Sequence, residues 1–266
     1  MRKSFRKSKE ITVVAFLAVC GVCRGQAQEG QIPLPEHPRP DFQRAEWLNL
    51  NGSWGFRFDK ENVGLSNRWA EGKADFPLSI RVPFPWGSEL SGVKNQADIA
   101  WYRRTVKVPA EWKGKRVFLV VGASDWFTTG WFDGHEVGHY QGGYTPFAFE
   151  VSKYIKWGAE QPLVLRVDDS PHPFKLSGKQ GYGDVKGIWQ TAYLEARPDV
   201  ALEQVHFLPD IDHSQVLVKA VLDAPATKAM RFTLTFKPED RAEPAVVEMA
   251  AGQKEIKIQV PLGTPR

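Results

Sequence analysis

Residues 131 to 151 read Trp-Phe-Asp-Gly-His-Glu-Val-Gly-His-Tyr-Gln-Gly-Gly-Tyr-Thr-Pro-Phe-Ala-Phe-Glu-Val, and the reading of this stretch decides the fold class. Asp133-Gly134 is a hairpin signal, because a two-residue turn that matches strand twist needs positive φ, which Gly adopts without steric cost. Two strands are therefore expected to meet there. Beyond Gly142-Gly143, Phe147, Phe149 and Val151 alternate with Ala148 and Glu150, which places the apolar set on one face of a further strand. The same stretch spells a zinc pattern, H-E-x-x-H, in His135-Glu136-Val137-Gly138-His139. That pattern makes a metal site on a helix, where residues four apart stack on one face. In an extended strand the two histidine Cα atoms would stand about 13 Å apart, at roughly 3.3 Å per residue. Zinc bonds are only about 2.0 to 2.1 Å long. No metal site is expected from either histidine, and no cofactor is expected.

The same period of two recurs on both sides of this segment. Trp54, Phe56 and Phe58 alternate after an Asn51-Gly52 turn, and Ile80 to Trp86 reads as a short strand stopped by prolines. Asn51-Gly52-Ser53 is also a glycosylation sequon, although the turn already accounts for its Asn and Gly. Further strands are expected over 101–108, 116–121, 126–132, 147–151, 163–167 and 188–195. Residues 59–79 look polar and irregular, 87–98 form a long loop, and 152–157 suit one helical turn. Residues 168–187 form a second long segment with little regular pattern, and long loops on a compact scaffold are often functional. Arg103 and Arg104 fall on opposite faces of their strand. One is expected to pair internally and the other to meet solvent.

The chain of 266 residues has 42% hydrophobic and 25% charged residues, ten Trp and 19 Pro, which fits a turn-rich, aromatic, all-β protein of two domains. Residues 1–27 read as a signal peptide: Arg2, Lys3, Arg6, Lys7 and Lys9, an apolar run from Ile11 to Cys23, then Gly25-Gln26-Ala27 as a cleavage site. The run is too short to span a bilayer. A lipoprotein signal at Leu17-Ala18-Val19-Cys20 is the weaker alternative, because Val19 is bulky. Export to the periplasm or the exterior is expected, with no membrane association after cleavage. Cleavage would remove both cysteines and leave 29 basic against 30 acidic residues, so the basic pI gives no argument for nucleic-acid binding. Residues 28–40 are Pro-rich and read as an extended lead-in, with structure starting near Asp41. Arg197-Pro198 marks a boundary, beyond which strands are expected over 202–208, 215–222, 231–236, 245–248 and 255–260.

Five motifs occur in a familiar order: Leu50-Asn51-Gly52-Ser53-Trp54, Val82-Pro83-Phe84-Pro85, Trp101-Tyr102-Arg103-Arg104 with Val108-Pro109, Gly142-Gly143-Tyr144-Thr145-Pro146-Phe147, and Gly187-Ile188-Trp189-Gln190. In them the chain resembles the N-terminal sugar-binding domain of glycoside hydrolase family 2, the β-galactosidase and β-glucuronidase type. The resemblance implies a jelly-roll, galactose-binding-like β-sandwich over residues 41–197, followed by an incomplete immunoglobulin-like β-sandwich over 198–266. It also implies a carbohydrate partner, a β-glycoside, and a catalytic TIM barrel that would have to be supplied in cis or in trans. The family's two catalytic carboxylates lie on that barrel, one of them in an Asn-Glu pair. This sequence contains no Asn-Glu pair, so no catalytic residue is assigned. Substrate contacts from the sandwich would come from Asp184, before Gly187-Ile188, and from Asn95 and Asp98, before Trp101-Tyr102. Asp184 and Asp98 also suit a simple turn residue and a solvated loop charge. Trp101, Trp126, Trp131 and Trp189 could stack on sugar rings, although aromatics within strands are usually core. The expected role is the non-catalytic sugar-binding portion of an exported β-glycosidase. The alternative is a free-standing secreted carbohydrate-binding protein.

Overall fold

The computed structural model of the chain describes residues 32–171, 185–235 and 244–262. Its first part holds β1 (Trp47–Asn49), β2 (Gly52–Phe58), β3 (Leu78–Val82), β4 (Ile99–Lys107), β5 (Arg116–Val121), β6 (Ser124–Asp125), β7 (Phe127–Phe132), β8 (His135–Gln141), β9 (Phe147–Glu150), β10 (Glu160–Asp168), β11 (Gly187–Ile188) and β12 (Ala192–Arg197). One sheet has the order β3-β2-β4-β10-β7-β8 and a second the order β1-β12-β5-β9, while β11 and β6 form a short pair. The pairings are antiparallel. The inward residues of the two sheets make one core, in which Trp54, Phe56, Tyr102, Leu119, Phe132, Leu165 and Leu194 are buried.

The decisive turn forms as its residues dictate. Asp133 and Gly134 have φ of 51° and 80°, the double positive value of a type I′ turn, and Phe132 pairs with His135 across it. The H-E-x-x-H residues therefore lie on strand β8, where Gly138 has φ of 148° beside a bulge that interrupts the register. The His135 ring stacks on Tyr154 at 4.4 Å, and the His139 ring on Phe127 at 5.5 Å. The expected helical turn at 152–157 is a single 3-10 turn, Ser152–Tyr154.

Several expectations are corrected. The turn expected at Asn51-Gly52 is a crossing between sheets: β1 and β2 belong to different sheets, and the buried Asn51 side chain holds the corner between them. Its Nδ2 donates to the Pro33 carbonyl at 3.0 Å and to Thr191 Oγ1 at 3.1 Å, and its Oδ1 accepts from Ala192 N–H at 3.1 Å. The run 188–195 is two strands, because Ile188 pairs with Ser124 whereas Ala192 onward pairs with β5. The run 126–132 likewise begins only at Phe127, after the separate β6. The segment expected to be irregular over 59–79 holds a 3-10 turn, Trp69–Glu71, and gives its last two residues to β3, and the rest covers the outer face of the six-stranded sheet. Asp59 anchors it by accepting from the N–H groups of Val63 and Gly64 and from Trp101 Nε1, at 2.8 to 2.9 Å. Trp69 then packs edge-on against Trp101, which stacks on Trp131 at 5.3 Å. Trp101 and Trp131 are thus core. Order also begins before Asp41: the Leu34 carbonyl accepts from Asn49 Nδ2, and the buried His37 ring meets Trp47 at 4.7 Å.

The second part holds β13 (Leu202–Asp210), β14 (Gln215–Leu222), β15 (Met230–Leu234), β16 (Ala245–Met249) and β17 (Glu255–Pro261). The sheet β13-β14-β17 and the antiparallel pair β15-β16 enclose their own core of Val216, Val218, Ala220, Met249, Ile256, Ile258 and Val260. Arg116 reaches from β5 to Asp223 at 2.9 Å, and Asp223 also accepts from Ala201 N–H. A cavity of about 820 Å³ opens beside this junction, lined among others by Phe42, Ala196, Leu202, Leu222, Met230 and Phe232. Among the described residues no helix is long and apolar enough to cross a membrane.

Candidate functional site

Register places the start of β4, the end of β10 and the start of β7 side by side, since Asp168 pairs with both Ile99 and Phe127. Loop residues flanking those strands therefore converge at one end of the six-stranded sheet. Asp98 precedes β4, and its carboxylate accepts from Lys186 Nζ at 2.8 Å. Its backbone carbonyl accepts from Asp169 N–H at 2.7 Å, which locks the two loops together. Lys186 Nζ also stands 3.6 Å from Asp169 Oδ2, and there the charges differ in exposure: the Asp98 side chain is 50% exposed and that of Asp169 is fully buried. Burial alone would lower the Lys186 ammonium, but the hydrogen bond to Asp98 and the charges of Asp169 and Asp98 outweigh it and hold its pKa above the ordinary lysine value. Next to this cluster, Arg166 donates to Asp168 at 2.9 Å and to Asn62 at 3.0 Å. Burial would raise the Asp168 carboxyl, yet hydrogen bonds from Ser170 and the charge of Arg166 bring it below the usual carboxylate range.

The wall behind the cluster is aromatic and tightly fitted. Gly187 has φ of 83°, and a Cβ there would lie 2.2 Å from Tyr102 Oη and 2.4 Å from the Trp86 ring. Only Gly fits this approach. Tyr102 Oη accepts from Ile188 N–H at 3.3 Å, and burial pushes its phenol pKa well up, so it serves as a neutral strut. Trp86 is pinned by donation of its Nε1 to the Ala97 carbonyl at 3.2 Å. On the β7 side, Trp189 Nε1 donates to the Gly143 carbonyl at 2.8 Å, and its ring meets Tyr144 edge-on at 5.9 Å. Tyr144 is 67% exposed, while Trp126 and Trp189 are half-buried, so these three rings offer surface that Trp101 and Trp131 do not. Gly143 brings its backbone close to the buried Asp125 carboxylate.

Of the three residues expected at the site, Asp98 sits in the cluster. Asn95 is exposed three residues earlier on the same loop, and Asp184 lies outside the described residues. Lys186 and Asp169 were not anticipated. The signal for them was the acidic pair Asp168-Asp169 at the end of a strand and the lysine directly before Gly187-Ile188. Among the described residues no group of three or more His, Cys, Asp or Glu is placed to hold a metal.

An antiparallel two-sheet sandwich, with loops gathered at one end around a charged cluster and exposed aromatic rings, defines the class by its fold: an all-β sandwich domain. The family model described as glycosyl hydrolases family 2, sugar binding domain, matches residues 48–198, and the chain belongs to that family. A β-glucuronidase of Paenibacillus borealis is 27% identical over 135 residues, 48% of this chain and 22% of that protein. A β-galactosidase of Thermoanaerobacter pseudethanolicus is 28% identical over 175 residues, 62% of this chain and 22% of that protein. The chain thus aligns with about a fifth of the length of these relatives. The apo structure of the Ruminococcus gnavus β-glucuronidase shares the fold, with a TM-score of 0.66 at 21% identity, over 86% of this chain and 41% of that one.

Proposed function

We propose that residues 41–197 act as the non-catalytic sugar-binding domain of an exported family 2 β-glycosidase, lending loop residues to a sugar held against a catalytic barrel outside these 266 residues. The observation that carries this reading is the convergence of Asp98, Lys186 and Asp169 at one end of the sheet, beside the rings of Tyr144, Trp126 and Trp189. A half-exposed carboxylate fixed by a lysine can accept from sugar hydroxyls without moving, and exposed aromatic faces suit the apolar faces of pyranose rings. Retaining hydrolysis would still require two carboxylates about 5 to 5.5 Å apart across the scissile bond, which this reading assigns to the barrel. An open end with one wall buries little of a ligand, so the sandwich alone should bind sugar weakly.

The test is purified protein assayed with chromogenic β-glucuronide, β-galactoside and β-mannoside. No turnover above a contaminant control is expected, together with weak saccharide binding that Asp98→Ala diminishes. Turnover abolished by Asp184→Ala would place a complete catalytic site in this chain and overturn the reading. Tight binding of a neutral glycoside without turnover would instead favour a free-standing secreted carbohydrate-binding protein.

A further inference from the structure

At the opposite end of β7 from Asp125, the Asp133-Gly134 turn borders a second cleft, of about 590 Å³, on the outer face of the six-stranded sheet. Its volume falls within the roughly 300 to 1,000 Å³ of small-ligand sites. Four cations line it, Arg68, Lys73, Arg103 and Lys156, against two carboxylates, Glu71 and Asp133. Both carboxylates are engaged: Glu71 pairs with Arg68 and stands 3.8 Å from Lys73, and Asp133 is 2.5 Å from Lys156. Arg103 is different. Among the described residues its buried Nε has no hydrogen-bond acceptor. Arg166 Nε is buried without an acceptor as well, but its Nη2 donates to Asp168 and Asn62, and Arg57 is held by the Asp75 carbonyl and the Trp69 ring, whereas no such partner holds Arg103 among the described residues. Guanidinium stays charged at any ordinary pH and presents a rigid donor fork that matches two oxygens of an oxyanion.

We propose that this cleft is an oxyanion-binding site, with Arg103 as the fork at its base and Lys73 as the exposed cation at its rim. Its ligand is a carboxylate, sulfate or phosphate group, free or carried on a small saccharide. The site is separate from the sugar-binding end, because β4, β7 and β10 run the length of the sheet between them. Asp98 and Asp168 flank one end of those strands, whereas Pro162 and Asp133 lie at the other.

The test is calorimetric titration of the whole chain with inorganic sulfate, inorganic phosphate and a uronate monosaccharide at constant ionic strength. Saturable binding of at least one is expected, weakened about tenfold or more in Arg103→Gln, as loss of a charged hydrogen-bond fork implies. Lys73→Gln is expected to weaken it about twofold to threefold, as loss of one rim charge implies. Lys73 is 85% exposed, so its replacement keeps the test valid if Arg103→Gln fails to fold. Arg231→Gln, on the exposed face of β15, should leave the affinity unchanged. Sulfate or phosphate alone would assign a tetrahedral group, and the uronate alone a planar carboxylate on a sugar. No saturable binding, or equal losses in Arg231→Gln and Lys73→Gln, would overturn the proposal. Neutral β-glycosides probe the other end, so the two readings fail independently.

Discussion

The first sandwich and the β unit that follows it are filled by different kinds of side chain. In the first, Trp54, Trp101, Tyr102, Phe56 and Phe132 are all fully buried. In the second the buried set is Val, Ala, Ile, Leu and Met, with Phe232 only partly covered. An aromatic ring brings about 150 to 250 Å² of area out of water at the cost of two side-chain torsions. A core built from such rings can close on itself, as the stack of Trp131, Trp101 and Trp69 does on the outer face as well. The aliphatic core closes less completely. It borders the 820 Å³ cavity and leaves Phe207, Leu208 and Ile211 exposed, the last at 84%. The contrast teaches that strand alternation alone makes sheets, whereas ring area decides how self-sufficient they are.

That comparison can be broken by substitution. If the aromatic core is the stronger unit, Phe132→Ala should have the largest effect, about 3 to 5 kcal/mol, because the ring is fully buried and its neighbours cannot collapse onto the space. Scanning calorimetry should show the main transition lowered with any separate transition of residues 198–262 unmoved. A uniform shift of everything would show that the two units melt as one. In the aliphatic core, Ile258→Val should cost only about 0.5 to 1.5 kcal/mol and touch the second unit alone. A loss beyond that range would mean that this core is packed as tightly as the first.

The smallest expected effect is one of pH. In the folded chain Lys186 titrates above its unfolded value, so its stabilisation is complete below about pH 10.4, the ordinary lysine pKa. It fades as pH rises through the higher folded value. Asp98 is half exposed, and solvent screening keeps such pairs near or below about 1 kcal/mol. Denaturant melts at pH 9 and pH 11 should show this alkaline loss in the parent and not in Lys186→Met. An equal loss in both would remove the cluster from the account.

Much of the fold was legible because period-two alternation and Asp-Gly turns are local signals. Trp54, Phe56 and Phe58 face as their spacing says, and the H-E-x-x-H residues sit on a strand as Asp133-Gly134 requires. What was not legible depends on partners far along the chain. Asn51 looks like a simple turn residue until Thr191 and Ala192 arrive to bond it, so the crossing between sheets was hidden. Residues 59–79 read as polar and irregular because their hold on the sheet rests on scattered residues with no strand period, Asp59, Val63, Trp69, Ala74 and Phe76. Arg104 was expected either inside or out, and it donates to the Leu50 and Asn51 carbonyls, whereas Arg103 lines the far cleft. Asp98 was named as a candidate from the loop before Trp101-Tyr102, but Lys186 and Asp169 carry no motif: the pairing of β4 with β10 brings Asp169 to Asp98, and the pairing of β11 with β6 brings Lys186.

The placement of the tryptophans has an optical consequence. All ten lie at or before Trp189, so indole emission reports on the first sandwich and is blind to residues 198–266. Trp101 and Trp131, near-parallel at 22° and 5.3 Å apart, are close enough for their transitions to couple and give a far-ultraviolet exciton couplet. The molecule therefore carries a built-in two-channel reporter. Loss of the couplet marks opening of the outer face that Trp69 seals, and loss of strand dichroism at constant emission marks unravelling of the Trp-free unit.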